Sequence, residues 1–181
     1  VGAVLVPIYP TITIEDYTYI FNDSGVKIIF AENDELYLKA REASKGISTI
    51  QNIYTFEHVE DAAHWTSVKD QGVGKDFSVL DSYKSDVKKE DLLTLIYTSG
   101  TTGLPKGVML THHNIISNVL SLVRGEFFDL HIGDKALSFL PLCHIYERTD
   151  IYMYLYYGVS VHYAESMETI ADNIKEVRPS M

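Results

Sequence analysis

The chain has 181 residues, 46% of them hydrophobic and 22% charged, the proportions of an ordinary globular protein rather than a disordered or fibrous one. Its 15 basic and 25 acidic residues give a formal charge of −10, which argues against nucleic-acid binding, since such proteins carry basic faces. The single cysteine, Cys143, excludes an intrachain disulfide and fits a reducing compartment, and the longest apolar candidate, residues 151–164, is shorter than the ~20 residues a bilayer span needs.

In chain order, residues 2–9 form an apolar run that reads as a strand. Thr13-Ile14-Glu15-Asp16 offers a helix start and Gly25 a stop, ahead of a second strand over 26–31. A helix is predicted over 35–44 and a strand over 52–56. Residues 58–89 are polar and weakly periodic, with Gly72 and Gly74 marking a turn, and read as a connection with one short helix. A strand over 92–97 follows, then a hydroxyl- and glycine-rich loop, a strand over 107–110, and a helix whose apolar face is Ile116, Val119, Leu120, Val123 and Phe127. A strand over 136–140, a helix over 145–157, a strand over 159–163 and a helix carrying Met167, Ile170, Ile174 and Val177 complete the chain. This alternation predicts an α/β fold of largely parallel sheets flanked by helices, in three segments: 1–57, 58–90 and 91–181.

The loop carries the chemistry. Tyr97-Thr98-Ser99-Gly100-Thr101-Thr102-Gly103-Leu104-Pro105-Lys106-Gly107 sets four serine and threonine hydroxyls, three glycines and one lysine behind an apolar strand. Glycines let backbone amides approach a polyphosphate without an intervening Cβ, successive N–H groups form an anion-binding concavity, and Lys106 adds a full positive charge. Each charge-assisted hydrogen bond of this kind contributes roughly 1.5–3 kcal/mol. A Walker A loop needs Gly before its Lys and Ser or Thr after it, whereas Pro105 and Gly107 stand there. The competing reading is a ligand-free surface turn, for which Gly, Ser and Thr are ordinary residues.

These residues, continued by Val108-Met109-Leu110-Thr111-His112, resemble the phosphate-binding motif of the adenylate-forming superfamily. Ser138-Phe139-Leu140-Pro141-Leu142-Cys143-His144-Ile145-Tyr146-Glu147-Arg148 is similar to the carboxylate-side motif of its long-chain fatty acid-CoA ligases. The opening Val1-Gly2-Ala3-Val4-Leu5-Val6-Pro7-Ile8-Tyr9-Pro10-Thr11 is similar to the first strand and turn of their nucleotide-side sheet. The resemblance implies an interior piece of the large N-terminal domain, with the small C-terminal domain absent. It also implies ATP-dependent conversion of a fatty acid to acyl-adenylate and then acyl-CoA, with ATP, Mg²⁺ and coenzyme A taking part. Thr98, Ser99, Gly100, Thr101, Thr102, Gly103 and Lys106 would cradle the phosphates, with Thr98 offering its hydroxyl to Mg²⁺ and Lys106 also counted as catalytic. His144 would line the junction of nucleotide and acyl carboxylate as a further catalytic candidate, with Glu147 and Arg148 in the substrate pocket.

By the same resemblance the parent is expected in the cytoplasm or at a membrane surface and the isolated piece is expected to be inactive; an α/β domain cut mid-sheet is expected to self-associate through its unpaired edge. Alternatives are an aryl, amino or short-chain acid as substrate, or a non-catalytic nucleotide-binding or interaction module. The other motifs have structural readings. Glu147 and Arg148 as neighbours do not face one another on a helix, so ion pairs with other elements are an equal reading. His112 and His113 are adjacent, a poor metal geometry. Gly72-Val73-Gly74-Lys75 reads as a turn, and Tyr152, Tyr154, Tyr156 and Tyr157 as packing, with an acyl-tunnel border as the other reading.

Overall fold

A computed structural model describes residues 2–99, 103–125 and 128–180. The first unit is built on helix α1 (Ile14–Ser24), strand β1 (Ile28–Ala31), helix α2 (Asp34–Ala43), strand β2 (Asn52–Thr55) and the short strand β3 (Ala63–His64). Thr13 caps α1 by accepting from the Asp16 N–H while Asp16 reaches back to the Thr13 N–H, and Gly25 ends it at φ 61°. β1, β2 and β3 pair in parallel in that order, with Ile28 opposite Asn52 and Tyr54 opposite Ala63. Tyr17 and Phe21 of α1 pack on Ala40 and Ala43 of α2, two small residues that let the helices approach closely. Ile29 of β1 and Ile53 of β2 close this core from below.

The polar connection holds more structure than its composition suggests: beyond β3 it forms α3 (Thr66–Asp70) and α4 (Val79–Asp86), neither with a buried residue. Both are too short and too exposed to leave an apolar periodicity. Residues 2–9 are not a regular strand. Only Leu5 pairs, its N–H donating to the Leu93 carbonyl and its carbonyl accepting from the Leu95 N–H, both at 3.0 Å.

Strand β4 (Leu92–Thr98) turns back into β5 (Lys106–Thr111), and because so short a connection cannot cross over, this pair is antiparallel. Helix α5 (His112–Arg124) starts at a second capping box, Thr111 with Asn114. β6 (Lys135–Ser138), α6 (Ile145–Tyr157), β7 (Ser160–Tyr163) and α7 (Ile170–Val177) follow, with β6 and β7 parallel. Two of the three sheets among the described residues are therefore parallel, as the alternation predicts. The second core joins Ile115 and Val119 of α5, Met153 of α6, Ala136 of β6, Leu130 and Val159, and packs on Leu93 and Leu110 of the hairpin. Full burial of a Met or Val contributes about 1.5–3 kcal/mol, so this cluster packs α5 and α6 against the strands.

Two details differ from the sequence reading. The inward face of α5 is Ile115 and Val119, while Ile116 is 52% exposed; Phe127 lies outside the described residues. Apolar residues at both 115 and 116 leave the helix phase to tertiary packing. β6 ends at Ser138, where its carbonyl accepts from the Ala164 N–H, and Pro141 has no N–H with which to continue a ladder. Leu142 thus sits in a turn, not at a strand end.

Candidate active site

The glycine- and hydroxyl-rich loop joins β4 to β5 at the turn end of the hairpin, where Thr98 and Lys106 form the closing pair. Thr98, Ser99, Gly103 and Lys106 are exposed there, and Gly103 takes φ 96°, a conformation that favours glycine. Gly100, Thr101 and Thr102 lie outside the described residues. Lys106 makes no ion pair among the described residues. The loop leads into a strand rather than a helix, so its positive character comes from Lys106 and from hydroxyl and amide donors, without a helix dipole.

The strand behind the loop is anchored twice. Tyr97 donates its hydroxyl to Asp23 Oδ2 at 2.6 Å, tying the hairpin to the end of α1. Burial, then the hydrogen bond and charge of Asp23, push the Tyr97 phenol well above its ordinary value, so it remains a donor. Three residues earlier, Thr94 is fully buried and donates its hydroxyl to the Leu5 carbonyl at 2.8 Å.

The second motif forms the turn into α6. His144 is the N-cap of that helix: its Nδ1 accepts from the Tyr146 N–H at 3.3 Å, and its carbonyl accepts from the Arg148 N–H. With Nδ1 accepting, the neutral ring carries its proton on Nε2, and the side chain is exposed. Glu147 and Arg148 are 5% and 8% exposed. Ser138 donates its hydroxyl to Glu147 Oε1, and Arg148 Nη1 donates to Thr94 Oγ1 at 2.8 Å. A longer contact of 3.5 Å runs from Arg148 Nη2 to the Tyr152 hydroxyl. Both residues hold α6 to other elements, through neutral hydroxyls rather than ion pairs. Desolvation, then the charge of Glu147, raise the Asp150 carboxyl to about 6. Cys143 is half-buried beside Tyr9, and burial raises its thiol, the opposite of what activates a nucleophile.

Among the described residues no group of three His, Cys, Asp or Glu side chains could hold a metal ion. The exposed hydroxyls of Thr98 and Ser99 with Lys106 are the donor set a polyphosphate would need, and the Thr98 hydroxyl is an oxygen that would suit Mg²⁺. His112 and His113 are the first residues of α5, and Gly72 and Gly74 lie in a turn. Tyr152, Tyr154 and Tyr157 pack on the second core, whereas Tyr156 is 59% exposed. Tyr156 lines a shallow apolar cavity of about 530 Å³ with Leu93, Ile116, Leu120, Tyr152 and Leu155.

Sequence reading missed Thr94, Ser138, Asp23 and Asp150. Thr94 had a signal: it is the only polar residue among residues 92–96 of a buried strand.

The family description "AMP-binding enzyme" matches residues 1–181. Long chain acyl-CoA synthetase 7, peroxisomal, from Arabidopsis thaliana is 35% identical over 190 residues, covering 98% of this chain and 26% of that protein. Long-chain-fatty-acid--CoA ligase FadD15 of Mycobacterium bovis is 28% identical over 181 residues, covering 100% of this chain and 30% of that protein. Among solved structures, the Mycobacterium tuberculosis fatty acyl CoA synthetase superposes with a TM-score of 0.72 at 22% identity, over 96% of this chain and 32% of that one. The chain thus spans less than a third of the length of each of these relatives.

Proposed function

We propose that this chain, which belongs to the AMP-binding enzyme family along its whole length, is the phosphate-binding part of an ATP-dependent long-chain fatty acid-CoA ligase. The observation that carries the reading is the hairpin end, where exposed Thr98 and Ser99 stand beside Lys106 across the closing pair. Two relatives named as long-chain acyl-CoA synthetase and long-chain-fatty-acid--CoA ligase support the choice of acid.

In the proposed reaction a fatty acid carboxylate attacks the α-phosphorus of ATP, pyrophosphate leaves, and the thiol of coenzyme A then displaces AMP from the acyl-adenylate. Both partners of the first step are anions, so catalysis depends on positioning and charge neutralisation. Thr98, Ser99, Gly100, Thr101, Thr102, Gly103 and Lys106 hold the β- and γ-phosphates. Thr98 would hold Mg²⁺ through its hydroxyl, and the ion would supply positive charge that offsets the charge of the phosphates. His144 presents Nε2–H at the entrance to α6, where the acyl carboxylate meets the nucleotide. Arg148, a buried cation that donates to Thr94 and more distantly to Tyr152, lends positive potential to that same end, with Glu147 beside it.

No helix among the described residues is long and apolar enough to cross a membrane. The half-buried single thiol fits a reducing compartment, and we place the parent in the cytoplasm at a membrane surface, where its lipid substrate resides. The relative named as peroxisomal makes that organelle the alternative.

The test is isotope exchange. The whole protein with ATP and palmitate should pass labelled pyrophosphate into ATP, and Lys106→Ala should slow this at least tenfold, about the loss of one charge-assisted contact. Faster exchange with an aryl, amino or short-chain acid would move the substrate class. Absence of exchange with every carboxylic acid, alongside saturable nucleotide binding, would make it a binding module.

A further inference from the structure

The sheet that bears the phosphate loop and the sheet that leads to His144 share no strand pairing. Among the described side-chain hydrogen bonds, two connect them, both through α6. Ser138 of β6 donates to Glu147, and Arg148 donates to Thr94 of β4. These are consecutive residues, so their side chains leave the helix about 100° apart and reach opposite neighbours.

We propose that Arg148 is a positioning residue that acts through Thr94, and that with Glu147 it clamps α6 between the two sheets and sets the separation of His144 from the phosphate loop. This rests on the adenylating reading above. The hydroxyl of Thr94 serves both sides at once: its proton goes to the Leu5 carbonyl, which leaves an oxygen lone pair to accept from Arg148 Nη1. The contact therefore joins the N-terminal segment, β4 and α6 at one atom. Thr94 lies four residues before Thr98 along a strand, about 13 Å, and His144 lies one helical turn before Arg148, about 6 Å, so a rigid path links the contact to both functional groups. All five of the atoms' host residues on this path, Ser138, Glu147, Arg148, Thr94 and the N-cap His144, belong to three regular elements or their caps, none to a free loop.

The test uses Thr94→Val, which keeps the shape and loses the hydroxyl, Thr94→Ser, which keeps the hydroxyl, and Arg148→Met, in the whole protein. Because a displacement of about 1 Å costs up to ~100-fold in rate, Thr94→Val and Arg148→Met should each lower kcat for pyrophosphate exchange roughly 10- to 100-fold. KM for ATP should stay within about twofold, since the loop's own donors are untouched. The double variant should be no slower than the slower single one, and Thr94→Ser should recover most of the rate. A folded Arg148→Met protein with wild-type kcat, multiplicative losses in the double variant, or a change confined to KM would overturn the clamp. Hydrogen exchange separates this from the activity itself: Thr94→Val should speed exchange of the Tyr146 and Arg148 amides in α6. Acceleration limited to β4 would refute the clamp even in a protein found inactive, whereas an inactive wild-type protein with coupled exchange would refute only the functional reading.

Discussion

Tyr97 lies across Gly107, its partner on the facing strand, so closely that a methyl group on residue 107 would stand 3.0 Å from the ring's Cζ and 3.3 Å from its hydroxyl oxygen. The ring covers the glycine, and the same hydroxyl reaches Asp23. The tyrosine above Gly107 therefore leaves little room for a Cβ there, independently of any role in approaching phosphate.

Gly107→Ala should consequently destabilise the chain by about 1–3 kcal/mol, the range for overpacking at a close contact. Its φ is not in the left-handed region, so the cost is steric rather than conformational. Denaturant melts of Gly107→Ala and of Gly107→Ala with Tyr97→Leu measure it: the second change should recover much of the loss. Equal stability of Gly107→Ala and the native chain would show that the ring moves aside freely.

Thr111 sets the entry angle of the chain from the hairpin into α5. Its hydroxyl accepts from the Asn114 N–H at 3.2 Å while Asn114 Oδ1 accepts from the Thr111 N–H at 2.8 Å. Thr111→Ala removes the first of these, and the expected loss is ~1 kcal/mol, read as a lower urea midpoint with an unchanged slope.

Asp150 makes stability depend on pH in a predictable direction. Its carboxyl is raised from 3.8 to about 6 by desolvation and then by Glu147, so the folded chain binds that proton more tightly than the unfolded one. The resulting stabilisation is fully present below about pH 4 and is lost as pH rises through about 6. Asp150→Asn lacks the charge. Thermal melts should show it more stable than the native chain at pH 7.5 and equal to it at pH 4, and a difference independent of pH would contradict the assignment.

The accessible surface of 12159 Å² is well above the roughly 8,800 Å² expected of a compact monomer of this mass. Large apolar side chains contribute to it: Leu5, Ile28, Phe30 and Phe56 are each about half exposed and line one crevice of about 930 Å³ between the N-terminal segment and β1. The 181-residue chain alone should therefore self-associate at micromolar concentrations. Sedimentation equilibrium that fits a single 20.5 kDa species across a wide concentration range would contradict this.

Where local chemistry decides an element, the sequence is enough. α1 runs between its Thr13 cap and Gly25, and α6 spans Ile145–Tyr157 because Gly158 follows at φ 72°. Pairing is different, since apolarity over residues 2–9 cannot reveal that Leu5 alone finds a partner 89 residues away. The same holds for the site. The order of hydroxyls, glycines and lysine is legible as a loop between two strands, and Thr98 and Lys106 do meet at the hairpin's end. Thr94 and Arg148 are 54 positions apart, and no periodicity within either element points to the other. The polar contacts that hold the site together are set by tertiary packing, which spacing along the chain does not encode.

The most direct measurement is a crystal structure of the whole protein with a non-hydrolysable ATP analogue. The β- and γ-phosphate oxygens should lie within hydrogen-bonding distance, about 3 Å, of Lys106 Nζ and of the Thr98 and Ser99 hydroxyls. Phosphates seated elsewhere, with Lys106 free in solvent, would contradict the account.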